Sequence, residues 1–502
     1  AGVTLASSTK VLHSFANGTY FWSFTDTNVK VARTSVLGDT GERTFWTGEA
    51  ADGGKPKMGY SPYSITGTQP IRYPTNYYRL GIPAPAAAPS LALGTGGGCE
   101  TANKVTRQYV YTYVSALGEE GPPSTHTTIA DACPGQQVLI TALSTAPTGP
   151  YNITNKRIYR SNTGTNGTEF QLVVEIAVAT TNYTDTILDA NLGTDVLPSR
   201  TWLPPVDTLS RITAIAGSMM AGLDTAKPKD VWISEPGIPH GWPNRKAVNY
   251  DAVDIAAIGG VTVVLTKGPP YITMGADPSS FVLQSMNVEQ ACSSARGVAN
   301  YGDEGVIYPS PEGLILLTPG GHTLLTENLL DKDDWTAYKP DSITGFIYNE
   351  QYIGFYDTGS VTGGFILDLR NTNVGWTTTD VFAAAGVVVN TDDLYLAVSN
   401  ALVKWQGNST KLTYQWKSKL FEINVPTNFA WGLVIASTYA NLTFKLYGDG
   451  ALRLTKTVTS SNPFRLPGGS GVPNARTWEM ELVGTDDVTK VMIAHTSEEI
   501  QI

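Results

Sequence analysis

Charge is scarce in this chain: Asp, Glu, Lys and Arg make up only 16% of its 502 residues. The 34 Lys and Arg residues are scattered, and 44 acidic residues outweigh them, for a formal net charge of −10. A nucleic-acid clamp needs clustered cations to displace counterions, so this composition argues against one. Cysteine is nearly missing, with Cys99, Cys133 and Cys292 alone. That odd, sparse set fits a reducing compartment better than a disulfide scaffold, although Cys99 and Cys133 bracket a strand pair and can end up close. The five histidines, His13, His126, His240, His322 and His495, show no ligand spacing, which argues against a metal site built on them. No apolar run approaches the ~18 residues of a membrane span. Residues 1–10 lack the basic start and apolar core of a secretory signal. No membrane-spanning segment and no secretion are therefore expected.

Long helical patterns are also wanting. No run places Glu, Lys, Ala and Leu at helical spacing. What is abundant is Gly (50) and Pro (30), with 10% aromatic residues including 11 Trp and 24 Tyr. Many short strands, tight turns and large pieces to pack between sheets follow from that mixture, so the class expected is all-β. At this length two to four domains are expected.

Residues 302–321 show the local unit. Val306, Ile307 and Tyr308 run in, and Leu314 to Leu317 run back. Between them, Ser310-Pro311-Glu312-Gly313 forms the turn, with Pro311 presetting one backbone angle and Gly313 permissive. Similar strand–turn–strand units recur from Ile212, Ile255, Gly305, Ile343 and Ala384, at spacings of 43, 50, 38 and 41 residues. A period near 40 without helices suits the blades of a β-propeller. Five blades are visible, and the strands before residue 81 supply material for a sixth. Chain ends completing one another's blade would close the ring.

Four segments follow. Residues 1–98 are a β segment contributing to the propeller body and ending in a Pro/Ala/Gly linker at 81–98. Residues 99–201 read as an inserted β-sandwich, with Tyr109, Tyr111 and Tyr113 on one face of an alternating strand. Residues 202–410 form the propeller body. Residues 411–502 form a C-terminal sandwich or barrel-like unit, where Gly448-Asp449-Gly450 marks a hairpin.

Chemistry-bearing patterns are few. The Gly-rich end of the linker lacks the Lys-Ser/Thr of a phosphate loop. Glu119 and Glu120 are adjacent carboxylates in what reads as an exposed turn. Asp331, Asp333 and Asp334 lack the alternation and distal Glu of a calcium loop and read as a solvated turn. Neither Gly-x-Ser-x-Gly nor His-Glu-x-x-His occurs. The reading assigns no catalytic, cofactor-binding or metal-binding residue, and no enzymatic turnover is expected.

Several chemically silent stretches are nonetheless specific in wording. They are residues 42–48 (ERTFWTG) with Pro56-Lys57-Met58, 230–239 (DVWISEPGIP), 265–275 (LTKGPPYITMG), 416–419 (WKSK), 463–469 (PFRLPGG) and 478–482 (WEMEL). In this order they resemble bacteriophage tail nozzle proteins of short-tailed phages, also called tail tubular protein B. The likeness covers most of the chain outside residues 101–199. That interval resembles a fibronectin type III-like module, through Tyr113-Val114-Ser115, residues 118–124 (GEEGPPS) and residues 157–160 (RIYR).

The nozzle resemblance implies a virion protein assembled in the host cytoplasm and forming a homo-oligomeric, hexameric ring. The ring would sit below the adaptor at the portal vertex and adjoin tail fibres or spikes. Double-stranded DNA would pass through it transiently, without sequence-specific binding, past a lumen expected to be acidic or neutral. The chain is shorter than the larger members of that family, which puts long tip insertions and their gate loops in doubt. A carbohydrate-binding or carbohydrate-cleaving tail adhesin is the alternative, marked by a cleft with exposed Trp and a buried carboxylate pair. A secreted bacterial propeller is a third reading, weakened by the missing signal.

Overall fold

The computed structural model describes all residues except 1–2, 35, 37, 51–52, 165–166, 276, 373–374, 390–392, 468–473 and 501–502. The last two glycines of the PFRLPGG segment thus lie outside the described residues. Two compact units are present, Ala1–Trp405 and Gln406–Ile502.

In the first unit, seven small sheets follow one another. The first holds Val11–Phe15, Tyr20–Phe24 and, in parallel pairing, Ile71–Arg72. The second holds Lys30–Arg33, Thr44–Thr47, Lys57–Gly59 and Tyr78–Arg79. The third to sixth are four-stranded antiparallel meanders that begin at Leu209, Ala252, Ala299 and Thr344. The seventh contains Ala385–Val389, Asp393–Val398 and Ala401–Lys404, and Val3–Thr4 adds its outer strand. From the second sheet round to the first, the first strand of each sheet neighbours that of the next, and Arg33 donates to the carbonyl of Ser14 to join the second sheet to the first, so these strands line an axis.

The strands Thr44–Thr47, Met219–Asp224, Val261–Thr266 and Gly305–Pro309 are buried on both faces, which explains the short continuous apolar runs. Phe45 packs toward the third sheet with Leu209 and Trp242. Its neighbour Trp46 points the other way, to Phe15 and Trp22 of the first sheet. Side chains alternate along a strand, so one residue pair serves two inter-sheet cores. The same division places Val306 and Tyr308 against the fourth sheet and Ile307 against the sixth. Leu5, Leu12, Phe21, Ala385 and Leu402 join the seventh sheet to the first and complete the circle. The fold is a closed β-propeller.

The expectation of a propeller holds, with seven sheets where five or six were expected. Residues 1–80 supply two sheets and a closing strand rather than one blade. Their strands are two to five residues long and broken by turns, which hides the repeat.

Between the second and third sheets lies a sandwich. Tyr109–Ser115, Ile153–Gly164 and Gly167–Ala177 form one sheet, and Ser90–Leu93, Val138–Thr141 and Tyr183–Asp185 form the other. Tyr109, Tyr111, Tyr113, Val138 and Ile140 fill the space between them. Ser90–Leu93 lies within the stretch read as a linker. It pairs with Val138–Thr141, so the module starts before residue 99. Cys99 and Cys133, the pair that the sequence left open, are joined in a disulfide.

In the second unit, Trp431–Ala436, Val488–Ala494 and Phe464–Arg465 pack on a sheet built around Ala475–Gly484. The expected hairpin turns at Asp449 and Gly450, whose φ values of 50° and 74° fit the left-handed pair a tight two-residue turn requires. Among the described residues, no helix is long and apolar enough to cross a membrane. The α-helix Lys332–Ala337 replaces the expected Asp turn: Asp331 caps it by accepting from the Asp334 N–H.

Candidate functional site

The inner strands of the propeller carry few ionisable side chains, and three of them converge. Lys30 opens the inner strand of the second sheet, Arg211 lies in that of the third and Asp254 in that of the fourth. Lys10 and Arg296 precede the inner strands of the first and fifth. All five line one axial cavity of about 320 Å³.

Two contacts cross the axis. Lys30 Nζ lies 2.7 Å from Asp254 Oδ1 and donates also to the carbonyl of Ile255 at 2.7 Å. Asp254 is 3% exposed and Lys30 a quarter exposed. Burial lowers the Lys30 pKa, and Asp254 works against that shift. Loss of Lys30 would strand a buried carboxylate, at a cost of about 3–5 kcal/mol. The second contact is made by Arg296, which donates to the carbonyl of Lys10 at 3.0 Å and to that of Ala384. Its guanidinium thus ties the fifth sheet to segments entering the first and the seventh. Burial, with the nearby Arg211 charge, pushes its pKa down to about 10.

Close to the cavity, the Cys292 thiol is buried and its pKa is raised, first by burial. It stays protonated at neutral pH and is a poor nucleophile. The cavity therefore offers cations and one carboxylate already committed to Lys30. It can hold an anion; it does not present two carboxylates in contrasting environments, as glycosidic acid–base chemistry requires.

The sequence candidates lie elsewhere. Glu119 and Glu120 are not in an exposed turn: they are 7% and 2% exposed, where the sandwich meets the propeller. Arg43 Nη1 lies 3.0 Å from Glu119 Oε1, and His240 Nδ1 lies 4.0 Å from the same oxygen. Burial raises the Glu119 pKa against the pull of Arg43. Glu120 accepts from Thr112, Tyr159, Ser199 and Arg157. All but Thr112 come from distant parts of the chain, which is why local composition misplaced the pair. With its lone pairs so committed, Glu120 is a structural anchor. Asp331, Asp333 and Asp334 are exposed at the short helix. The five histidines stay apart, and the described residues hold no group of three or more His, Cys, Asp or Glu suited to a metal.

Sequence reading missed the axial cluster, since each member is a lone charge in an apolar stretch. The available signal was positional: a charged residue at or just before the inner strand of several blades.

No family model matches the chain. No curated protein matches it either. Similarity to solved structures is slight. Virginiamycin B lyase from Staphylococcus aureus is 7% identical with a TM-score of 0.29, over 75% of this chain and 97% of that one. BamB from Moraxella catarrhalis is 10% identical with a TM-score of 0.27, over 55% and 81%. An exo-β-1,3-galactanase from Phanerochaete chrysosporium is 10% identical with a TM-score of 0.20, over 71% and 100%. Likeness of this degree carries nothing about activity or partners.

Proposed function

We propose that the chain is a structural subunit of a short-tailed phage tail, a nozzle component that forms a ring around the DNA path and acts without turnover. The observation that carries this reading is how the nozzle-like segments combine in space. Residues 42–48 pair with Pro56-Lys57-Met58, with Phe45 opposite Met58. Residues 416–419 pair with 478–482, with Trp416 opposite Leu482. The first pairing is a local hairpin; the second joins stretches more than 60 residues apart as register partners, which supports reading both as parts of one architecture.

The propeller axis itself is no DNA path. Its cavity is far too small for a duplex, and Lys30, Asp254 and Arg296 cross it. Any conduit runs between copies, in a hexameric ring whose lumen we expect to be acidic or neutral, in keeping with the net charge of −10. Such a ring would adjoin the adaptor on one side and fibres or spikes on the other, in the virion.

Sedimentation and electron microscopy of the purified chain test the reading. A closed ring with an open axis, and no retention of duplex DNA at low salt, is expected. A strictly monomeric species at high concentration, or hydrolysis of a host polysaccharide lost with a single carboxylate, would replace the nozzle by the adhesin.

A further inference from the structure

Arg211 has an unusual backbone: its φ is 53°, in the left-handed region. For a residue with a β-carbon that conformation is strained. The strain arises in a bulge, where pairing with Met219–Asp224 skips from Ser210 to Thr213. A bulge re-aims a side chain. Here it adds Arg211 to the lining of the axial cavity and of its adjoining mouth.

The local charges do not balance. Asp254 is taken by Lys30 at 2.7 Å, and Arg296 is bonded to backbone carbonyls. Among the described residues, the Arg211 guanidinium has no hydrogen-bond or ion-pair partner, and neither has the Lys10 ammonium. The Arg211 charge weighs on both neighbours, lowering the pKa of Lys30 and of Arg296. Strained backbone, an unpartnered guanidinium and mutual repulsion of cations would all be offset by one negative guest. Ala256, Ala257 and Ala295 leave room for it. The exposed carboxylates at the mouth, Asp341 and Asp357, lie in the outer region beside Lys339.

We propose that the axial cavity is a binding site for a small tetrahedral oxyanion, either free phosphate or the phosphate group of a small ester. Arg211 supplies a forked donor suited to such a group, Arg296 adds the N–H groups not committed to the Lys10 and Ala384 carbonyls, and Lys10 supplies flanking charge. A volume of about 320 Å³ admits a small phosphate ester and excludes a polymer. The inference stands on the cavity alone and is independent of the nozzle reading.

Calorimetric titration of the full chain with inorganic phosphate, and separately with ribose 5-phosphate, tests it at constant ionic strength against chloride. Saturable one-to-one binding is expected for at least one of them, with a melting temperature raised by that ligand. Arg211→Gln should weaken binding at least tenfold, and Arg211→Lys should recover part of it. Should Arg211→Gln fail to fold, Lys10→Gln reports instead, with a severalfold loss. Binding of the ester alone assigns the site to an organic phosphate, and binding of phosphate to the free anion. No saturable binding of either, or undiminished affinity in the folded variants, overturns the proposal.

Discussion

Thr4 sits in register opposite Ala401, so the strand that opens the propeller and the strand that ends it share one sheet. The next residue extends this seam: Leu5 N–H donates to the carbonyl of Asn400 at 2.7 Å, and the Leu5 side chain is 4% exposed. Leu5→Ala should lower stability by about 2–4 kcal/mol, and Leu5→Met by less than about 1.5 kcal/mol. Urea melts of both variants check this. Equal, negligible losses would show that the ring closes without the seam.

Arg296 spans three sheets by hydrogen bonds alone. Arg296→Met keeps much of the apolar stem and leaves the carbonyls of Lys10 and Ala384 without their donor. A loss of roughly 1–3 kcal/mol is expected, with Arg296→Lys intermediate. Thermal melts of the three proteins supply the comparison.

His240 should make the protein acid-sensitive. It is 6% exposed, and burial beside Arg43 lowers its pKa from 6.5 to about 4. The unfolded chain then binds the proton more readily than the folded one. The stabilisation is present above pH 6.5 and is lost as pH falls through about 4, to a total of roughly 3 kcal/mol. Denaturant melts from pH 7.5 to 4 should show a shallower decline for His240→Leu than for the unaltered chain. Parallel declines would remove His240 as the cause.

Cys99 and Cys133 form the disulfide and Cys292 is free. Protein prepared without reductant and then denatured should present one reactive thiol per chain, against three after reduction. Replacing both sandwich cysteines by serine should cost the module about 2–4 kcal/mol, because the bridge closes a loop across a separation of 34 residues. Three thiols before reduction would mean that the bridge does not form.

Repeating hairpins were legible because the third to sixth blades are local meanders. The inner strands of the third to seventh sheets begin at Leu209, Ala252, Ala299, Thr344 and Ala385, close to the positions read from the sequence. The mark at Gly305 fell on a second strand, since the first, Ala299–Tyr301, is three residues long. Strand Ser90–Leu93 escaped notice because its Pro/Ala-rich surroundings resemble a linker and its partner, Val138–Thr141, lies far along the chain. The axial cluster was illegible for a deeper reason: Lys30 and Asp254 are 224 residues apart, and only closure of the ring brings them together. The Glu119–Arg43 contact has the same origin, across 76 residues.

The seam at Thr4 and Ala401 also has a meaning in time. A ribosome adding about 5–20 residues per second needs roughly 20–80 s to travel from one to the other. Throughout that interval Leu12 and Phe21 have no seventh sheet to cover them. The nascent chain must be shielded or must fold its middle blades first. Proteolysis of ribosome-stalled chains of increasing length would register the moment of closure as a sudden gain in resistance, once Ala401 has left the exit tunnel.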